Sequence, residues 1–333
     1  MSRYENAHQD PQGPGDGRPT ALQVVKDEGM EGKLQGKVIV ITGTSSGIGI
    51  ETARALSTTG AQLILTARNL DKAKTALEGI LEPGRIELVE LDNTSLESVR
   101  TGAAEILSKA KNQVNILINN AGIMAIPDLQ FTKDNFELQF GVNHLAHFLL
   151  FELLKPALLS SSSPSFHSRV VSLASSAHHI QGINESDNYN FEKGNYTPMA
   201  AYGQSKTANL YLSNSIERQY GAQGLHATSV HPGLVISSLA QHLDEGTRAA
   251  LASDPNLYKI LKNPEQGAAT SVWAAIGKEW EGKGGAYLAD VGKAAAGKDE
   301  HEILGVGYAS WAFDAAKEDR LWKDSSRLVG LSS

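Results

Sequence analysis

Tyr202-Gly203-Gln204-Ser205-Lys206 sets a phenol and an amine four residues apart, and in a helix that spacing brings both side chains to one face. A phenol titrates near ~10, too high for proton transfer at neutral pH unless a fixed cation stabilises the phenolate, as a Lys one turn away does. Tyr202 and Lys206 therefore form a candidate acid–base pair. Tyr189…Lys193 and Tyr258…Lys262 share the spacing, but Tyr189 lies in a polar stretch with no helical pattern and Tyr258 in a segment placed to cover a site. Only Tyr202 opens an amphipathic helix just before a strand. Upstream, residues 169–174 read as a strand that runs into Ser175-Ser176-Ala177-His178-His179. A side chain at the carboxyl end of a parallel strand points into the ligand crevice, so one of the two serines is placed to hydrogen-bond a substrate oxygen, or else merely ends the strand. His178 and His179 read as loop residues; with no third ligand in view, no metal site is expected.

A second cluster is Thr42-Gly43-Thr44-Ser45-Ser46-Gly47-Ile48-Gly49, between the first strand and the first long helix. Glycines there permit a tight turn, close approach of a pyrophosphate to main-chain N–H groups, and a helix N-terminus facing the negative charge. The same residues spell Gly43-x-Ser45-x-Gly47, the form of a hydrolase nucleophile elbow, which also needs an oxyanion-hole loop from an earlier strand. Before Lys37 only a tail and a short helix are available. The next strand ends at Ala67-Arg68; a cation there pairs with a 2′-phosphate where an acid would accept ribose hydroxyls, so NADP is favoured over NAD. A solvated surface Arg is the bland alternative.

These residues need a scaffold that presents strand ends on one edge. Short β-branched runs at 38–41, 63–66, 86–91, 116–118, 170–173 and 225–230 alternate with segments long enough for helices, such as 47–59, 70–81 and 95–110. Strands apolar at consecutive positions are buried on both faces, which predicts a doubly wound parallel α/β sheet in a single domain covering residues 36–333. Residues 1–35 precede it as a Gly/Pro-rich tail (1–19), whose composition does not offset the entropy of ordering, and a short helix within 21–34. Two segments break the rhythm: the Asn/Gly-rich stretch 178–201, a candidate functional loop, and 234–263, a candidate lid. Leu234, Val235, Ile236, Leu239, Leu243 and Leu251 in that lid fit an apolar substrate or ordinary core packing.

The 333 residues, 41% of them hydrophobic and 20% charged, are enough for one large core. With 30 Lys and Arg against 37 Asp and Glu, the formal charge of −7 repels polyanions, so nucleic acid is not an expected partner. The absence of cysteine excludes disulfides, Cys-ligated zinc, iron–sulfur clusters and a thiol nucleophile. The most apolar long stretch, 145–159, is interrupted by His147, Glu152, Lys155 and Pro156 and is shorter than the ~20 residues of a bilayer crossing, which predicts a buried helix. The N-terminus lacks an apolar h-region, and the expected location is cytoplasmic.

Taken in order, Thr42-Gly43-x-x-x-Gly47-Ile48-Gly49, Asn119-Asn120-Ala121-Gly122, Asn143, Ser175, Tyr202-x-x-x-Lys206 and Pro232-Gly233 resemble the short-chain dehydrogenase/reductase family across residues 37–240. Residues 142–150 and His231-Pro232-Gly233 are similar to its retinol-dehydrogenase-like branch, and the stretch 306–311 resembles fungal members. The resemblance implies a Rossmann fold and a carbonyl–alcohol oxidoreductase, with Tyr202 as acid/base, Lys206 lowering its pKa and holding the nicotinamide ribose, Ser175 orienting the substrate carbonyl, and Asn143 binding a proton-supplying water. It also implies Gly43, Ser45, Ser46, Gly47, Ile48 and Gly49 at the pyrophosphate, Asn119 or Asn120 near the adenosine ribose, Asp92 at the adenine, and Val235 and Ser237 at the carboxamide. Ser45 stands where the branch usually has Asn. The loop before Tyr202 carries extra residues, so substrate specificity does not carry over. Homo-oligomerisation is implied by the resemblance alone. The alternative reading from another class is an NADP-binding regulator without catalysis.

Overall fold

Six of the β-branched runs form strands: β1 (Val38–Thr42), β2 (Gln62–Ala67), β3 (Ile86–Glu90), β4 (Ile116–Asn119), β5 (Ser168–Leu173) and β6 (Leu225–His231). In this computed structural model, which describes residues 3–239, 246, 253–299, 301 and 304–331, they pair in parallel. Two more strands, β7 (Ala286–Ala289), parallel to β6, and β8 (Gly292–Lys293), antiparallel to β7, complete an eight-stranded sheet of order β3-β2-β1-β4-β5-β6-β7-β8. The chain is thus one α/β domain of Rossmann type. Its order reverses between β1 and β4, and in such sheets ligands bind at the carboxyl ends of strands at that switch.

The helices are α1 (Ala21–Asp27), α2 (Ile48–Ser57), α3 (Leu70–Ala76), α4 (Leu96–Lys109), the single turn α5 (Leu138–Phe140), α6 (Ala146–Ser161), α7 (Pro198–Tyr220), α8 (Pro255–Ile260), α9 (Pro264–Gly267), α10 (Ala269–Ile276) and α11 (Ala315–Leu328). Their starts follow capping chemistry: Thr20, Asn69, Ser95, Thr197 and Asp314 each accept a main-chain N–H of the first turn, and Pro198 occupies the first turn of α7, where it displaces no helical hydrogen bond. Strand side chains alternate between two cores. Val38, Val40, Ile64, Leu117 and Val170 pack with Ile106, Phe148, Leu154 and Leu210 from α4, α6 and α7; Ile39, Ile41, Leu63, Leu65 and Ile118 pack with Val24, Leu56 and Val272 from α1, α2 and α10. Each fully buried aliphatic side chain contributes ~1.5–3 kcal/mol, and burial on both faces holds the strand ends rigidly.

Several local expectations differ from the structure. The helix within 21–34 stops at Asp27, where Gly29 turns left-handed (φ +64°), and α3 stops at Ala76 ahead of Gly79 (φ +84°). Residues 3–19, read as a tail, pack on the body: Tyr4 and Arg18 are buried, and Arg18 reaches the carbonyls of α8. Composition misses this because one buried guanidinium and its carbonyl partners replace a large apolar area. The polar stretch 178–201 is likewise tied down, with Tyr189 and Phe191 buried and Tyr189 stacked on Phe140 at 5.1 Å. Most of the lid segment between 240 and 252, including Leu243 and Leu251, lies outside the described residues. No helix among the described residues is long and apolar enough to cross a membrane.

Candidate active site

The carboxyl ends of β1, β4, β5 and β6 and the first turns of α7 meet at one edge of the sheet, the candidate crevice. At β1 the chain turns through Gly43 (φ +73°) and Gly47 (φ +61°) into α2. A Cβ on Gly43 would stand 2.7 Å from the Cα of Ala121, and one on Gly49 would stand 2.3 Å from the Gly43 carbonyl oxygen, so glycine is required at both for close approach. Asn120 locks this turn to β4: its Nδ2 donates to the carbonyls of Thr42 (2.7 Å) and Gly43 (3.1 Å), while the Asn120 and Ala121 amides donate to Thr42 Oγ1, each at 2.9 Å. No side chain caps the N-terminus of α2 at Gly47. Ser45 and Ser46 are half-buried on the turn, and no histidine is within hydrogen-bond contact of Ser45 among the described residues.

Beside the turn, both polar atoms of the buried Asn119 side chain lack a partner. Arg68 is exposed just past β2. Asp92, beyond β3, is spent on internal contacts: it accepts from the Thr94 amide and hydroxyl and pairs with Lys133 at 3.0 Å. Burial pushes its carboxyl up, and those donors outweigh it, leaving it below the ordinary range. Val235 and Ser237 follow β6 and lie beside the glycine turn and the start of α2. A Cβ on Gly267 would stand 2.6 Å from Val235 Cγ2 and 2.9 Å from Ile48 Cγ2, and one on Gly47 would stand 3.5 Å from the Ser237 Cβ.

Tyr202 and Lys206, on successive turns of α7, are both buried. Burial raises the Tyr202 phenol to about 12, and the facing Ser175 hydroxyl works against that rise. Burial also draws Lys206 down to about 7. Its ammonium lies 5.5 Å from the centroid of the Tyr202 ring and donates to the Leu173 carbonyl at 2.9 Å, so it is anchored to the end of β5 rather than to the phenol. Ser175 caps the 3₁₀ turn Ser176–His179, accepting from the Ala177 amide at 3.1 Å. Asn143 sits in a π-helical turn (Gly141–Leu145), a geometry frequent at functional sites. Its Oδ1 accepts from the Ile123 amide at 2.9 Å, and its Nδ2 donates to the Ile123 carbonyl (3.0 Å) and Ser205 Oγ (2.9 Å).

The rival pairs fall elsewhere. Tyr189 donates to Asp324 at 2.9 Å while Lys193 pairs with Asp187; Tyr258 is exposed while Lys262 is buried against Asp290 at 2.7 Å. Four further residues take supporting roles that sequence reasoning did not assign. Asn209, one turn beyond Lys206, shares the Leu173 carbonyl at 2.9 Å. His147 bridges Thr42 Oγ1 and the Asn143 carbonyl, each at 2.9 Å. His178 donates through Nδ1 to the Ser175 carbonyl (2.6 Å) and accepts the Ala309 amide at Nε2 (3.1 Å), which fixes a neutral tautomer; burial accordingly holds it down at about 3. His231 accepts the Ser176 amide at 3.2 Å. The signals available in sequence were the histidine inside an apolar run at His147 and the placement of His178 and His231 just past strand-like runs. No cluster of three metal-ligating side chains occurs among the described residues.

The sequence matches the short chain dehydrogenase family over residues 37–248. It is 49% identical over 330 residues to short-chain dehydrogenase/reductase prx1 of Penicillium roqueforti, covering 99% of this chain and 96% of the relative. Human retinol dehydrogenase 13 is 35% identical over 305 residues, with 90% and 86% covered. Among solved structures, an uncharacterized protein from Mycobacterium paratuberculosis matches with a TM-score of 0.67 at 30% identity, over 90% of this chain and 95% of that one.

Proposed function

Because the chain belongs to the short-chain dehydrogenase family of oxidoreductases, we propose that it interconverts a carbonyl and an alcohol with NADP(H), Tyr202 giving and taking the proton. The observation that carries this reading is the buried Tyr202 phenol facing the Ser175 hydroxyl, one helical turn from Lys206, beside a glycine turn whose helix N-terminus no side chain caps. The crevice fits a dinucleotide on its own chemistry. Main-chain N–H groups at Gly47–Gly49 suit a pyrophosphate, the unpartnered Asn119 amide suits ribose or base edges, and exposed Arg68 suits a 2′-phosphate. Ser45 and Ser46 line the turn, Ile48, Val235 and Ser237 would close the nicotinamide end, and Lys206 would hold the ribose beside it. Asp92 contributes its position rather than a free carboxylate.

Held there, a nicotinamide dinucleotide would supply hydride chemistry at the carbonyl carbon. Ser175 holds the carbonyl oxygen, and Tyr202, neutral at physiological pH because burial raises it, protonates that oxygen as negative charge develops. Asn143 and Ser205 fix the first turns of α7 so that the phenol keeps its aim. In the oxidative direction the deprotonated Tyr202, the phenolate that reduction leaves, takes the alcohol proton and returns to the neutral phenol.

The test is NADPH and NADH consumption against a panel of aldehydes and ketones, together with Tyr202→Phe. Turnover should fall by ~10²–10⁴ in the variant, the share that general acid catalysis supplies, with NADPH affinity unchanged. Near-full activity in the variant would exclude Tyr202 as the acid, and dinucleotide binding without turnover of any substrate would favour a sensor.

A further inference from the structure

Residues 3–19 lie outside the catalytic sequence motifs, yet they are bonded to the segment that closes the cofactor crevice. Arg18 is 4% exposed. Its Nε pairs with Asp16 at 2.8 Å, Nη1 donates to the Ile260 carbonyl at 2.9 Å, and Nη2 donates to the carbonyls of Gly13 (3.0 Å), Lys259 (3.3 Å) and Leu261 (2.5 Å). A guanidinium at the carboxyl end of α8 satisfies carbonyls that the helix leaves unpaired and complements their partial negative charge. Gln266 grips the same strap from α9, accepting the Gly15 amide at 2.9 Å and donating to Asp16 Oδ1 at 2.9 Å and to the Arg18 carbonyl at 3.3 Å. Gly13 (φ +109°) lies so close to the Tyr258 ring that a Cβ would stand 2.7 Å from it.

The grip continues into the site within two residues. Lys262 donates its amide to the Leu234 carbonyl at 2.7 Å and accepts the Ile236 amide at 3.0 Å, pairing with Val235 as a parallel bridge. Val235 packs between Gly267 and Ile48, the first residue of α2, and Ser237 lies over Gly47. A hydrogen-bonded path therefore runs from Arg18 through residues 259–262 to residues 234–236, and Val235 and Ser237 pack from there against the start of α2 and Gly47.

We propose that Arg18 is a positioning residue of the dinucleotide site: through three main-chain carbonyls it sets the height of residues 234–237 over the glycine turn, and so sets cofactor affinity. This rests on the reading of that turn and of Val235 and Ser237 as the cofactor's binding surface. A role confined to stability would lower the melting temperature without changing affinity, whereas a positioning role changes the dissociation constant of correctly folded protein.

The experiment titrates the full chain with NADPH by fluorescence, and melts the same samples, for wild type, Arg18→Ala, Arg18→Lys and Arg100→Ala. Arg100 is the matched control, since its guanidinium also holds a distant carbonyl, that of Val329 at 2.6 Å, away from the crevice. Arg18→Ala should raise the NADPH dissociation constant about tenfold, a coupling of ordinary size between linked sites. Arg18→Lys, which keeps the charge but not the fork, should fall between Ala and wild type, while Arg100→Ala leaves affinity at the wild-type value. Unchanged affinity in the Arg18 variants, or an equal loss in Arg100→Ala, overturns the proposal. If Arg18→Ala does not fold, Arg18→Lys decides by the same criterion. Failure of wild type to bind either NADPH or NADH would instead overturn the cofactor reading, and this proposal with it.

Discussion

Lys206 holds an ammonium where burial favours the neutral amine, which brings its pKa to about 7. The folded value lies below the ordinary ~10.5, so between the two the unfolded chain keeps a proton that the folded chain has released, and stability rises with pH across that window. The penalty of the buried charge is thus largest at pH 7 and below, and fades toward pH 10. Lys206→Met removes it without orphaning the Leu173 carbonyl, which keeps Asn209 as donor. The variant should be more stable than wild type at pH 6, by a margin that shrinks at pH 10, and should lack turnover; urea unfolding at both pH values checks it. Equal midpoints at pH 6 would show that the buried amine carries no such strain. A residue that costs stability and persists beside a candidate active site is what a functional constraint predicts. The Tyr202–Lys206 spacing was legible in the sequence because four residues of helix fix it. Which atom the ammonium touches was not, since the Leu173 carbonyl comes from β5, 33 residues away.

At the scale of elements, β1 to β6 and the helices between them were legible because each strand is short, β-branched and buried on both faces, a local signal. The left-out elements lack that signal. β7 has the composition Ala-Tyr-Leu-Ala, β8 has two residues, and the π turn at Gly141–Leu145 looks in sequence like the start of α6. The glycine turn was legible as a turn, but its tolerance is set by β4. Gly49 has no room for a side chain because the Gly43 carbonyl and Asn120 Nδ2 stand 2.3 and 2.6 Å from where a Cβ would go. Gly49→Ala must therefore push α2 away from β1. Overpacking of this kind costs ~1–3 kcal/mol, and the larger effect should fall on NADPH binding, because the N–H groups of the first turn of α2 move as a unit. Calorimetric titration should show affinity lost by about a hundredfold or more, as expected when several main-chain donors to a pyrophosphate are misplaced together. Gly79→Ala, on a turn with nothing near its Cβ, serves as the comparison and should leave affinity intact.

Across the whole molecule, the two ends of the chain grip opposite halves of the crevice. The N-terminal strap holds residues 259–266 beside the glycine turn, while the carboxyl-terminal segment holds the turn that carries Ser175. Ala309 donates to His178 Nε2, Trp311 Nε1 donates to the His178 carbonyl at 3.0 Å, and His178 Nδ1 reaches the Ser175 carbonyl. Trp311 is itself fixed by the Tyr211 hydroxyl on its carbonyl at 2.7 Å and by stacking on His301 at 5.3 Å. The bonds of Ala309 and Trp311 to His178 and of Tyr211 to Trp311 were not legible, because each joins residues a hundred or more positions apart through a single polar bond. They imply that damage at the two ends separates kinetically. Trp311→Ala removes one bond to the His178 turn and a half-buried ring, at a cost of ~2 kcal/mol, below the ~3–5 kcal/mol of a fully buried aromatic. With Ser175 less firmly aimed, turnover of any carbonyl substrate should fall by about ten- to a hundredfold, the sensitivity expected of small misplacements in a reacting geometry. NADPH affinity should stay at the wild-type value, the reverse of the pattern expected for Arg18→Ala. Measuring kcat, substrate KM and NADPH binding on both variants decides the matter: if both lose turnover and cofactor affinity in the same proportion, the crevice responds as one body and its halves are not held separately.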